Sequence, residues 1–394
     1  MPRVLTPKWK TWVFTVILSL ILLGFSRNAK AGMEASTGIG RSETARIVVH
    51  RAPEPVYQVQ PGMHGDVFPA FANFESFQQP SERQWGVVTV KVTNPTDRLL
   101  TERIAVRVLG WSDEEVQILE IGAGQVRQLQ FAPTFLPRFY ENHEIAAATA
   151  RVSITDMGGH PLFSTTVPVR LRSVDDIYWG RNFKHAQFIA SWVTPHDPQV
   201  ESVLSLAKEF MPGRRLPGYE TWKAASAQKV TTYAQASAIY RALQKRGLSY
   251  VKSSLTLGAE ANAAVAERVR MPRESIREVS ANCIDGAVLY ASLFENLGMD
   301  PVIVLVPGHA YVGVRVAQNS PDFLYIETAL TGRASFQRSV RAAARGLAKI
   351  KPGKIIQIPI AKAREAGIYP MPLPGDMDAS VTTFHESMEG IRRP

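Results

Sequence analysis

The chain has one cysteine in 394 residues, so no disulfide framework, thiolate-ligated zinc site or iron–sulfur cluster can be assembled within it. It contains no phosphate-binding glycine loop of the Walker or dinucleotide type, and its eight histidines include no i,i+4 pair and no His-Glu-x-x-His. A zinc hydrolase and a nucleotide enzyme of those kinds therefore lack their ligands, and neither a metal nor a cofactor is expected. Glycine (27) and proline (26) are too few and too scattered for a fibrous or low-complexity protein. There is no internal repeat at solenoid or propeller periods. With 45% hydrophobic and 20% charged residues, the composition is that of a globular protein long enough for two modest cores.

The formal net charge of +10 shrinks on inspection. Residues 1–31 hold five of the 45 basic residues and no acidic one, which leaves 40 basic against 35 acidic in the remainder, a net of +5 without blocks. No basic stripe with interleaved aromatics is present, so a nucleic-acid partner is not expected. The leader itself reads as an export signal: Arg3, Lys8 and Lys10 precede an apolar run of 15 residues from Thr11 to Phe25, and Ala29-Lys30-Ala31 supplies small residues for a peptidase. Cleavage after Ala31 would give a protein starting at Gly32, periplasmic or secreted if the source is a bacterium, and without membrane attachment thereafter. The alternative is an uncleaved N-terminal anchor, for which the run is short against the roughly 20 residues of a span.

Residues 45–173 read as strands. Val88, Val90 and Val92 alternate with Thr89, Lys91 and Thr93 before Asn94-Pro95-Thr96-Asp97 breaks the run, and Ile104, Val106 and Val108 repeat the pattern. Arg151 to Thr155 ends at the turn Asp156-Met157-Gly158-Gly159, ahead of Phe163 to Leu171. Short strands with such turns predict a β-sandwich. From about Asn182 the period becomes helical, at Val200, Val203, Leu204 and Leu206 to Ala207 and again from Ala234 to Leu243. The second region, 182–374, is thus α+β, and a polar tail occupies 375–394.

The stretch from Asn282 combines three element types. Ile284, Ala287, Val288, Ala291, Phe294 and Leu297 share a helix face that Gly298 would end, and Pro301–Val306, Tyr311–Val316 and Phe323–Ile326 are strand-like. The lone Cys283 falls at the helix start, where unsatisfied N–H groups and the helix dipole favour an anionic sulfur. His309 follows 26 residues later as a candidate base, and Glu327 another 18 on as a candidate orienting carboxylate. Asp285 is read as a capping partner of the helix rather than a catalytic acid. The Cys283 N–H is the one readable oxyanion-hole donor; Gln235 and Glu267 are not assigned as the second.

The string Asn282-Cys283-Ile284-Asp285-Gly286, then Leu289 to Glu295, Leu297-Gly298, Val302 to Val306 and Pro307-Gly308-His309-Ala310-Tyr311-Val312-Gly313, resembles the core of the bacterial transglutaminase-like superfamily. The resemblance covers roughly residues 230–330, includes Val269-Arg270-Met271-Pro272-Arg273-Glu274, and extends to Ile368-Tyr369-Pro370. It implies a papain-like fold and acyl transfer by a triad: Cys283 as nucleophile, His309 as base and then acid, and Glu327 where many relatives carry Asp. A protein or peptide substrate and a peptidase or amidase activity would follow. Protein crosslinking by amine transfer, or a non-catalytic binding scaffold, are the alternatives.

Overall fold

The computed structural model describes residues 53–74, 85–220, 222–252 and 267–373. The expected signal, residues 1–31, and the polar tail, 375–394, lie outside the described residues. Within them the chain is a mixed α and β structure with several sheets, and no helix among the described residues is long and apolar enough to cross a membrane.

The first half is strands. A three-stranded antiparallel sheet runs β1 (Val56–Pro61), β3 (Val88–Thr93), β6 (Val126–Phe131). A five-stranded sheet has the order β2 (Asp66–Val67), β8 (Pro161–Leu171), β7 (Ala146–Asp156), β4 (Leu100–Val108), β5 (Glu115–Ile121). The alternation legible in the sequence decides which face is buried: Val88, Val90 and Val92 of one sheet and Ile104, Val106, Val152 and Ile154 of the other turn inward onto a shared core with Phe131 and Phe139. The intervening Lys91 and Arg107 stay exposed. Two single-turn helices, α1 (Pro69–Ala72) and α2 (Pro137–Tyr140), each start with proline at a position whose N–H has no helical partner anyway.

Beyond β9 (Asp176–Ile177) helices take over: α3 (Pro198–Ala207), α4 (Ala225–Lys245), α5 (Pro272–Arg277) and α6 (Cys283–Asn296). Between α4 and α6 lie the two-residue strands β10 (Ser249–Tyr250), β11 (Glu267–Arg268) and β12 (Ser280–Ala281). A four-stranded antiparallel sheet follows in the order β15 (Phe323–Ile326), β14 (His309–Arg315), β13 (Pro301–Val306), β16 (Ile356–Pro359), accompanied by α7 (Phe336–Leu347) and α8 (Ile360–Glu365). β13 is buried at every position because both of its faces are covered. Ile303 and Leu305 join the core built around α6, while Val302, Val304 and Val306 face the other way with Tyr311 and with Ala343 of α7.

The helix from Cys283 is buried on all sides through Phe294, more than the single apolar face read from sequence, because α3, α5 and the sheet all pack on it. Gly298 ends it at φ 66°, a conformation open to glycine. α4 is longer than the Ala234–Leu243 periodicity implied, since its first turns are largely solvent-facing and leave no apolar pattern. Gln235 spends both ends of its amide on Gly218, accepting from its N–H at 2.9 Å and donating to its carbonyl at 3.0 Å, which pins the loop before α4. Trp179 and Trp192, read as core or interface residues, are both buried in the helical core.

Candidate active site

Cys283 is the first residue of α6, and the local chemistry explains why the helix starts there. Asn282 caps it, its Oδ1 accepting from the N–H groups of Ile284 and Asp285, both at 2.9 Å. Asp285 returns the favour: its Oδ2 accepts from the Asn282 N–H at 3.2 Å and its Oδ1 from the Arg270 N–H at 3.0 Å. This reciprocal cap satisfies the N–H groups of Asn282, Ile284 and Asp285 and holds the strand–helix corner rigid. Asp285 is thereby spent as a structural group; burial raises its pKa, and the two backbone donors pull the other way. The cap leaves the Cys283 N–H without a hydrogen-bond acceptor among the described residues.

The approach to the cysteine is strained. Val279 adopts φ 46°, a left-handed conformation that is unusual for a β-branched residue. It turns the chain from α5 into β12, which pairs in parallel with β10 so that Tyr250 lies beside Ala281.

His309 opens β14, two residues earlier than the strand predicted from Tyr311, so the imidazole sits on a paired backbone position opposite Val306 rather than in a free turn. Gly308, at φ 72°, makes the two-residue reversal possible. Glu327 directly follows β15, the neighbouring strand, and caps the short 3₁₀ turn Thr328–Leu330. Its two oxygens have different tasks. Oε1 accepts from the Ala329 N–H at 3.1 Å, and Oε2 lies 2.8 Å from His309 Nε2. The Glu327 carbonyl accepts from the Ser339 hydroxyl of α7 at 2.9 Å. With Nε2 engaged, Nδ1 is the ring nitrogen left for Cys283, whose side chain lies close enough to the imidazole to act on its pKa. Burial alone would lower the His309 pKa, but the hydrogen bonds to Cys283 and Glu327 and their negative charge outweigh it and push the value up to about 10. Tyr311 packs edge-on against the imidazole, with ring centroids 4.7 Å apart and an interplanar angle of 83°.

The three residues singled out from the sequence, Cys283, His309 and Glu327, are therefore brought into one cluster. Two positions that sequence reasoning passed over hold it together. Gly286 allows α6 to approach the 3₁₀ turn so closely that a Cβ there would lie 2.7 Å from Thr328 Oγ1. Thr328 donates to the Cys283 carbonyl at 3.4 Å, and Thr331 donates to the Thr328 carbonyl at 2.8 Å while meeting the Tyr290 hydroxyl of α6 at 3.0 Å. A glycine one turn into an otherwise apolar helix was the available signal, since such a residue weakens a helix unless something must come near it. Glu267, left unassigned as an oxyanion donor, accepts instead from the Trp179 indole; burial raises its pKa to about 7 despite that bond.

No known protein family matches the chain, and no curated protein matches it. Among solved structures, a FixG-related protein from Vibrio parahaemolyticus is similar over 30% of this chain and 95% of its own, at 18% identity and a TM-score of 0.18. A likeness of that size has no bearing on fold or function.

Proposed function

We propose that the protein is a transglutaminase-like cysteine hydrolase, a peptidase or amidase with a papain-like core preceded by a β-sandwich, and that it is exported. The observation that carries this reading is the single contact chain Cys283, His309, Glu327, running from the N-terminus of a buried helix to two adjacent strands. Structural cysteines have no need of an imidazole that is itself gripped by a carboxylate.

In the proposed reaction His309 is the imidazolium at neutral pH, holding on Nδ1 the proton given up by Cys283, and the sulfur attacks the carbonyl carbon of a peptide or glutamine side-chain amide. The carbonyl π electrons move onto oxygen, and the free Cys283 N–H donates to that oxyanion. His309 then gives its proton to the leaving nitrogen as the C–N bond breaks, leaving a thioester. Water, deprotonated by the imidazole, attacks the thioester, and the thiolate departs and is reprotonated. A raised His309 pKa suits the acid half of this cycle, because the leaving amine needs a proton at neutral pH. Glu327 keeps Nε2–H pointed at itself and so keeps Nδ1 facing the sulfur.

Amine transfer would differ only in the acceptor of the acyl group, and nothing in the geometry favours it over water. Trapping decides the reading: incubation with a cell extract, acid quench and mass spectrometry should find an acyl adduct on Cys283 that hydroxylamine removes. An intact thiol under all conditions, with equal alkylation rates in wild type and His309→Ala, would leave a non-catalytic scaffold.

A further inference from the structure

A second cluster lies away from the cysteine, and local spacing gave no hint of it. His143 sits between α2 and β7, Asp175 between β8 and β9, and Glu274 in the first turn of α5. One ligand atom from each lies within 4.8 Å of the other two. We propose that these three side chains form a binding site for a divalent transition-metal ion of the zinc type.

The distances lie within about 0.2 Å of those an ion needs, the shorter one being a hydrogen-bonding separation that an ion would replace. Ligands about 2.0–2.2 Å from a tetrahedral zinc lie about 3.2–3.6 Å from one another. His143 Nδ1 is 3.1 Å from Asp175 Oδ2 and 3.8 Å from Glu274 Oε1. Glu274 is oriented for this, since its Oε2 accepts from the Met271 N–H at 3.3 Å and Oε1 is turned to the histidine.

Asp175 supplies the independent observation. Its side chain is 9% exposed, and its Oδ1 is buried with no hydrogen-bond partner. A buried carboxylate oxygen ordinarily has a donor, and leaving it bare is unfavourable. Oδ2 already meets His143, Arg268 and Ser173, so Oδ1 is the oxygen of this carboxylate with capacity left for a cation.

The surroundings also argue for the class of ion. Arg268 donates to Asp175 Oδ2 at 3.0 Å and to the His143 carbonyl at 2.9 Å, which fixes the histidine loop and removes part of the negative charge that an all-oxygen calcium site concentrates. One imidazole nitrogen with two carboxylates suits zinc or manganese better than calcium or magnesium. An ion here would tie the strand-rich half to α5, the helix that leads through β12 to Cys283.

The test uses the full chain as Cys283→Ala, so that the thiol cannot take the metal. After chelation and desalting, zinc chloride is titrated by calorimetry, and bound metal is counted by elemental analysis. One zinc per chain is expected, with a rise in Tm of at least about 3 °C at saturation. His143→Ala and Glu274→Gln should each weaken binding at least about 10-fold while leaving the metal-free Tm nearly unchanged, because His143 is half exposed and glutamine can keep the bond to Met271. Absence of stoichiometric zinc, zinc binding that both substitutions leave unaltered, or binding of calcium in preference to zinc would each overturn the assignment.

Discussion

Glu327→Gln isolates the role of the carboxylate. The Oε1 that accepts from the Ala329 N–H can remain an oxygen in glutamine, which turns the new NH₂ group toward His309 Nε2. Two donors then face each other, and relief comes by moving the ring proton to Nδ1. That tautomer cannot receive the Cys283 proton. The electrostatic loss acts in the same direction. At 2.8 Å and an effective dielectric of about 20, the Coulomb attraction of the ion pair is about 6 kcal/mol before desolvation. Hydrogen bonds to charged groups contribute about 1.5–3 kcal/mol net, which corresponds to about one to two pH units for the imidazolium. The alkaline limb of kcat/KM, expected near pH 10 in the parent protein, should therefore move down by about one to two units, and kcat/KM at neutral pH should fall at least about 10²-fold. Stability follows the same sign. A histidine whose folded pKa lies above its unfolded 6.5 contributes fully below pH 6.5 and loses that contribution as pH rises toward about 10, so the Tm difference between parent and variant should be largest in mild acid. Glu327→Asp keeps the charge but is about one bond too short to reach both Ala329 and His309, and should be less damaging. The assay is a pH profile of a cysteine-dependent hydrolysis for all three proteins. An unchanged limb and rate in Glu327→Gln would refute the reasoning and reduce the site to Cys283 and His309.

Other expectations concern the frame. Gly286→Ala places a Cβ 2.7 Å from Thr328 Oγ1 and should reduce stability by about 1–3 kcal/mol in urea denaturation, with activity falling further because the 3₁₀ turn carrying Glu327 must move. Asn282→Ala removes the cap of α6 and should lower stability by about 0.5–2 kcal/mol, checked by the same denaturation series. Protein recovered from an exporting host should begin at Gly32; N-terminal sequencing that finds Met1 on exported material would point to a retained anchor.

Much of the candidate site was legible because its elements have strong periods. β13 and β15 begin and end where their apolar runs do, and α6 begins at the cysteine its cap defines. The start of β14 was misjudged by two residues because Pro307-Gly308 marks a turn without saying how tight it is. Pairings of two residues, such as β10 with β12 and β11 with β9, carry no pattern at all. The approach of Gly286 to Thr328 and the meeting of His143, Asp175 and Glu274 are tertiary facts, set by how helices and sheets pack rather than by spacing along the chain. Where two cores join, the ring cluster of Phe71, Trp85, His185 and Phe188 was hidden for the same reason.

The central claim is that Cys283 is a nucleophile activated by His309. The most direct measurement is the second-order rate of iodoacetamide alkylation between pH 5 and 9, in the parent protein and in His309→Ala, with the site identified by peptide mass spectrometry. The account predicts alkylation of Cys283 in the parent below pH 7 at a rate above that of a free thiol, and a loss of that advantage in His309→Ala. Equal and slow alkylation of both proteins across the range would contradict it.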